Sequence, residues 1–238
     1  MHGSEPPSGS KAPAGRFAGA DAAFVPPRRE IDGPLAALER RLLDALCARL
    51  PDWATPDRLT WFGVAGAAVT GLCYAATRLS PAFYALAALG VAMNWFGDSL
   101  DGSIARWRGI ERPRYGFYFD HATDALSVTA IFVGLGLSSS VAPMAATLSL
   151  AGYLALMVHS VGYAAVSGRF VLTYAGAGPT EARIALAVAG LVMAVAPGAS
   201  VSMGGVRIGV YTLGFALFGL ALLAIYLRSV LAAARELG

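Results

Sequence analysis

The chain has 238 residues, of which 56% are hydrophobic and 14% charged, with a formal net charge of +3 and a mean hydropathy of +0.59. Soluble domains carry roughly 45–50% apolar and about 25% charged residues, so these values exclude an ordinary soluble enzyme, disorder as the main state and, with two cysteines, a disulfide scaffold. The apolar residues form long runs and not alternating segments, which excludes a transmembrane barrel, and so small a net charge does not imply nucleic acid. What remains is an all-α polytopic membrane protein.

Residues 1–34 hold six of the thirteen prolines, with several Gly and Ser and no apolar periodicity. They read as a disordered cytoplasmic tail, and they lack the apolar core and cleavage pattern of a signal peptide. From residue 35 the chain reads as one membrane domain running to residue 238. Leu35, Leu38, Leu42, Leu46 and Leu50 recur at helical spacing, with Glu39, Arg40, Arg41, Asp44 and Arg49 between them. This predicts an amphipathic interfacial helix over 35–50, too polar to cross a bilayer and suited to headgroups or to the loops of its own membrane domain.

Beyond Pro51 and Pro56 come apolar runs of roughly the twenty residues that a hydrocarbon layer of about 30 Å requires. Six spans are predicted near 59–77, 82–105, 116–138, 142–166, 182–200 and 206–227. Pro81, Pro143, Pro179 and Pro197 fall at or near span ends, where a missing backbone donor does least harm. Trp53, Trp61, Trp95 and Trp107 lie close to the expected interfaces. The Gly- and Ala-rich spans permit close helix packing and a homodimer.

The basic residues orient the chain. Only Arg78 and Arg207 of the eighteen Lys and Arg fall at the first, third or fifth connection. The positive-inside rule therefore puts both termini in the cytoplasm, as in a protein of a bacterial inner membrane. Cys47 and Cys73 lie on the reducing side or in lipid, so no disulfide is expected.

Against this apolar background the acidic residues stand out. Asp98 and Asp101 lie toward the end of the second span, and Asp120 and Asp124 near the start of the third. Each intramembrane carboxylate costs roughly 2.5–3.5 kcal/mol on insertion scales, so four at one depth need compensation. Asp98 and Asp101 are three apart, Asp120 and Asp124 four apart, and each pair shares one helix face. Two antiparallel helices joined by a short cytoplasmic loop bring the pairs together. All-oxygen ligation of this kind favours magnesium, manganese or calcium over zinc, and a two-ion site fits the number of carboxylates. Gly102 and Ala105 leave one helix face nearly bare, and Arg106 sets a guanidinium beside the pocket, where it can bridge phosphate oxygens. The residues alone point to metal-dependent phosphoryl or phosphodiester chemistry at the cytoplasmic interface.

The run Asp98-Ser-Leu-Asp101-Gly102-Ser-Ile-Ala105-Arg106, nine further residues, and Gly116-x3-Asp120-x3-Asp124 resembles the signature of the CDP-alcohol phosphotransferases, DxxDGxxAR followed by GxxxDxxxD. The motif covers residues 98–124, and the spans with the preceding surface helix extend the similarity to about 35–230. The resemblance implies a membrane enzyme that moves a substituted phosphate group from a CDP-alcohol to an acceptor hydroxyl and releases CMP, with magnesium or manganese as cofactor, two ions per site. It implies metal binding by Asp98, Asp101, Asp120 and Asp124, with Asp124 also the catalytic base on the acceptor. Gly102 and Ala105 match the small residues against which cytidine lies, and Arg106 the arginine near the diphosphate. Thr55-Pro56-Asp57-Arg58-Leu59-Thr60 is similar to the family's PNxLT segment, which adds Asp57 and Thr60 to the nucleotide set; Asp57 stands where asparagine is usual and lacks its amide donor.

His121 is similar to the DHxxD form of the choline and ethanolamine phosphotransferases, but Phe117 stands where those carry a glutamate. Arg108, Arg112 and Arg114 read as topology-setting charges, with Arg112 or Arg114 in reach of a phosphate. His121, Arg169, Glu181 and Arg183 are the candidates for holding the acceptor. CDP-diacylglycerol with a small polar acceptor is the first expectation, and CDP-choline or CDP-ethanolamine with diacylglycerol the alternative. An ion-coupled transporter would also bury carboxylates, but would show internal repeats or interrupted helices, and neither is present in the sequence.

Overall fold

A computed structural model describes residues 28–30, 35–171, 173, 174, 176 and 178–238. Among these residues seven helices follow in chain order: α1 Ala36–Cys47, α2 Pro56–Ala76, α3 Ala82–Trp107, α4 Pro113–Leu137, α5 Pro143–Ser167, α6 Pro179–Val195 and α7 Val210–Leu237. The termini of these helices follow local chemistry. Pro56, Pro113, Pro143 and Pro179 each open a helix, where a fixed φ helps and the absent N–H is not needed. Thr55 caps α2 by accepting from the Arg58 N–H at 3.4 Å. Glu181 reaches back to the Gly178 N–H at 2.9 Å at the start of α6, and Gly168, at φ +72°, ends α5 in the left-handed region.

Helices α2 to α5 coincide within a few residues with the first four expected spans, whereas α6 and α7 are displaced from the fifth and sixth. Three of them, Pro56–Ala76, Pro143–Ser167 and Val210–Leu237, are long and apolar enough to cross a membrane by length and composition. Polar and acidic residues interrupt α3 and α4, and α6 has 17 residues. With Leu72, Leu79, Met144 and Val195 among many outward-facing apolar side chains, the chain is an integral membrane protein.

Packing runs in a chain of neighbours: α2 lies against both α3 and α4, α3 against α6, α4 against α5, and α5 against α7, whereas α3 and α4 touch little. The α2–α3 seam is backbone on backbone. A Cβ at Gly66 would sit 2.5 Å from the Asn94 nitrogen, and one at Gly63 would be 3.2 Å from the Asn94 carbonyl oxygen. Small residues are the means by which helices approach closely in a solvent that offers no hydrophobic drive between them. Away from the site, Tyr74, Tyr84, Phe132, Leu135 and Met193 form the main core. A smaller cluster, Cys47 with Leu59, Leu100 and Ile104, anchors α1, and burial there pushes the Cys47 thiol up, which keeps it protonated.

Two segments depart from the sequence expectations. Most of the predicted tail lies outside the described residues, but Arg28–Glu30 form a strand, β1, paired in parallel with β2, Arg169–Val171. The fifth and sixth spans are not separated by a short loop: α6 stops at Val195, and a hairpin of β3 (Ser200–Met203) and β4 (Val206–Gly209) precedes α7. Pro197 ends helical propagation, and Gly204 and Gly205, at φ +57° and +80°, supply the two left-handed residues of a tight hairpin turn. The expected sixth span begins at residue 206, where Val206 and Ile208 continue the apolar run of α7.

Candidate active site

One end of the bundle opens into a cavity of about 280 Å³, walled by the end of α3, the starts of α2, α4 and α6, and one face of α1. Helical spacing turns Asp98 and Asp101 of α3 and Asp120 and Asp124 of α4 toward it. Asp98, Asp120 and Asp124 bring one carboxylate oxygen each to within 4.8 Å of one another. Asp101 lines the same cavity but is engaged elsewhere, accepting from Thr60 Oγ1 at 2.6 Å and from the Gly102 N–H at 2.5 Å. The expected four-carboxylate cluster is therefore three together and one held by α2.

Arg183 enters this group from α6. Its Nη1 lies 2.8 Å from Asp98 Oδ2 and its Nη2 3.6 Å from Asp124 Oδ1. Its Nε donates to Asn94 Oδ1 at 3.0 Å, and Asn94 Nδ2 donates to the Gly63 carbonyl at 3.0 Å. One guanidinium against three carboxylates leaves a net negative oxygen cage, and that donor set fits a hard divalent cation such as magnesium or manganese.

The remaining predicted residues divide by position. Gly102, Ala105 and Arg106 line the cavity together, and Arg106 donates to Ser103 Oγ at 3.3 Å. Asp57 and Arg112 form an ion pair with each other at the exposed rim, where Arg112 also lies 4.2 Å from the centre of the Tyr115 ring. His121 stands in the wall with Nδ1 facing the Phe117 carbonyl and its ring packed on Phe117 and Phe170. Glu181 lines the cavity while accepting backbone N–H groups from Gly178 and from Leu35 of α1's entry. Arg169 is not brought to the cavity. It pairs with Glu236 at 3.2 Å and donates to the Tyr163 hydroxyl at 3.4 Å, near the end of α7.

Sequence reasoning passed over several residues that shape the site. Asn94 sits one turn before Asp98 inside an apolar run, which was the available signal. Glu39 Oε1 accepts from Trp95 Nε1 at 3.0 Å, Ser99 Oγ at 3.3 Å and Thr180 Oγ1 at 2.6 Å, fastening α1 to α3 and α6. Arg108, read as a topology charge, donates to the carbonyls of Leu50, Pro51, Asp52 and Ala54 and clamps the α1–α2 linker. Tyr115 and Phe119, stacked at 5.1 Å and 18°, add a flat aromatic wall.

Two glycines of the site have open space beside them. A Cβ on Gly116 would meet nothing within 4 Å, and one on Gly102 would meet only the flexible Arg106 guanidinium, at 3.3 Å. Their bareness serves the cavity and not helix packing. Gly102→Leu and Gly116→Leu are therefore expected to fold with a melting temperature close to the wild type, read by thermal unfolding. A large fall in that midpoint would show that these glycines serve packing instead.

A family model described as CDP-alcohol phosphatidyltransferase matches residues 53–234. Comparison with curated proteins finds none that matches the chain.

Proposed function

The chain belongs to the CDP-alcohol phosphatidyltransferase family, and from that premise we propose that it makes phospholipid by moving a substituted phosphate from a CDP-alcohol to an acceptor hydroxyl at the cytoplasmic face of a bacterial inner membrane. The observation that carries this reading is the three-carboxylate group of Asp98, Asp120 and Asp124, set beside Arg106 and the bare face of Gly102 and Ala105 in one cavity. All six long helices cross the membrane in this reading, with both termini cytoplasmic, because the cavity end of the bundle carries the excess of Arg.

Asp98, Asp120 and Asp124, with Asp101 beside them, would hold magnesium or manganese. When bound, such ions neutralise charge on the phosphoryl oxygens. The cytidine lies on Gly102 and Ala105, and Arg106 binds the diphosphate through charge-assisted hydrogen bonds. Thr60, by donating to Asp101, keeps that carboxylate turned to the cavity. Asp124 takes the proton from the acceptor hydroxyl. The acceptor oxygen forms its bond to the β-phosphorus as the bond from that phosphorus to the bridging oxygen breaks, and CMP leaves. Arg183 orients the base through its contacts with Asp98 and Asp124.

The water-open rim at Asp57 and Arg112 suits entry of a small polar alcohol to meet CDP-diacylglycerol. A second reading, a soluble CDP-alcohol donating to diacylglycerol, is favoured by one specific observation: an apolar cavity reaches Asp124 itself. The purified protein, supplied with paired donors and acceptors, is expected to release CMP with magnesium or manganese and to stop when EDTA is added. No CMP from any pairing, or release that EDTA leaves unchanged, would overturn the proposal.

A further inference from the structure

Immediately behind Asp124 and Arg183 lies a second cavity, of about 380 Å³, sharing those two residues and Pro179 with the first. It exists because α6 packs on α3 and α7 packs on α5, leaving a cleft between α6 and α7. Its walls are apolar, built largely of Val128, Ile131, Phe132, Leu186, Phe215 and Phe218. Three hydroxyl-bearing residues line it, Ser127 on α4, one turn beyond Asp124, Tyr153 on α5 and Tyr211 on α7. Among the described residues neither the Ser127 nor the Tyr153 hydroxyl makes a hydrogen bond, whereas the Tyr211 hydroxyl donates to the Ala196 carbonyl at 2.7 Å. Tyr153 is also within electrostatic reach of Asp124, Arg183 and Asp98.

Two unpartnered hydroxyls in an apolar cleft require acceptor oxygens from whatever fills it, since burying a polar group without a partner is costly. A ligand that is apolar over most of its length, carries neutral acceptors near one end, and presents that end to a phosphoryl-transfer site is an acylated glycerol. A third cavity, between α1, α3 and α6, is also apolar. None of the four aspartates lines it, and its polar side chains are engaged: Trp95 and Thr180 donate to Glu39, and Arg183 pairs with Asp98 and Asp124.

We propose that the α6–α7 cleft seats the diacylglycerol portion of the lipid-bearing substrate, and that Tyr153 and Ser127 donate hydrogen bonds to its ester carbonyls and so select ester-linked lipid. The inference rests on the phosphotransfer reading above and holds for either source of that portion, CDP-diacylglycerol or free diacylglycerol. The remaining chain length lies in the bilayer along the exposed apolar face of α7, where Leu217 and Leu220 stand.

The test uses the full chain in detergent–lipid micelles, once with CDP-diacylglycerol and soluble alcohols and once with soluble CDP-alcohols and diacylglycerol. Gly214→Leu adds bulk at the cleft wall, where a Cβ meets nothing within 4 Å. It is expected to raise KM for the lipid partner about tenfold and to leave KM for the soluble partner within about twofold. Ala187→Phe, which fills the α1–α3–α6 cavity instead, leaves the lipid KM unchanged. Wild-type protein prefers diacyl to dialkyl-ether lipid by about fivefold for each hydrogen bond, and Tyr153→Phe and Ser127→Ala each remove their share of that preference.

An unchanged lipid KM in Gly214→Leu, a raised one in Ala187→Phe, or an ester preference that survives both hydroxyl deletions would overturn the inference. Thermal stabilisation by diacyl against dialkyl lipid reads the same cleft without turnover. A wild type that releases no CMP would sink the phosphotransfer reading, while that binding comparison still decides the cleft.

Discussion

Asp124→Asn is expected to lower CMP release by about 10²–10⁴-fold, the usual contribution of a positioned general base, while CMP still binds. The substitution keeps shape and removes the ability to accept a proton. Arg183 retains its 2.8 Å contact with Asp98 and its bond to Asn94, so the α6 side of the site stays in place. The nucleotide contacts proposed above come from Gly102, Ala105 and Arg106 on α3 and are not touched. CMP titration and CMP release on the same preparation separate the two effects. Near-normal release would remove Asp124 as the base, and lost CMP affinity would make it a binding residue.

Gly97→Val should damage the protein most through its fold. A Cβ at Gly97 collides with the Gly63 backbone, including the Gly63 Cα at 2.6 Å, and no side-chain rotamer relieves a contact between two helix backbones. Overpacking typically costs about 1–3 kcal/mol, and this case belongs at the top of that range or above it. Relief requires α2 and α3 to part, which breaks the Thr60–Asp101 bond and shifts Asp98, the next residue. A large fall in thermal or detergent-induced unfolding midpoint, with activity lost in parallel, is the expected result. A fully stable variant would show that the α2–α3 seam yields more easily than its backbone contacts allow.

The contrast between Gly97 and Gly116 shows where sequence reasoning stops. Both are glycines in apolar helices near the aspartates, and only the three-dimensional contacts separate a packing glycine from one that clears space for a ligand. The two arginines at the α5–α6 end make the same point. Arg169 and Arg183 read alike, each a lone cation among apolar residues. The fold sends Arg183 into the carboxylates and turns Arg169 toward Glu236, near the C-terminus. Tyr153 and Ser127 carried no signal at all in the sequence, because a hydroxyl on an apolar helix is unremarked until its partners can be counted.

Much of the protein is nevertheless written locally. Helical spacing puts Asp98 with Asp101 and Asp120 with Asp124 on shared faces, proline positions mark helix starts, and a low charge content makes each buried acid conspicuous; all three effects act within one or two turns of chain. The partners of those residues are a different matter. Arg183 is 85 residues from Asp98, Glu39 holds Thr180 across 141 positions, and the hairpin at Gly204-Gly205 competes with an apolar pattern that suits a span equally well. The sequence by itself determined the helical membrane architecture and the carboxylate pairs, because periodicity and insertion cost are local. The tertiary structure decided which cation meets the carboxylates, which carboxylate stands apart and where an apolar cleft reaches Asp124, because these depend on which helices pack side by side.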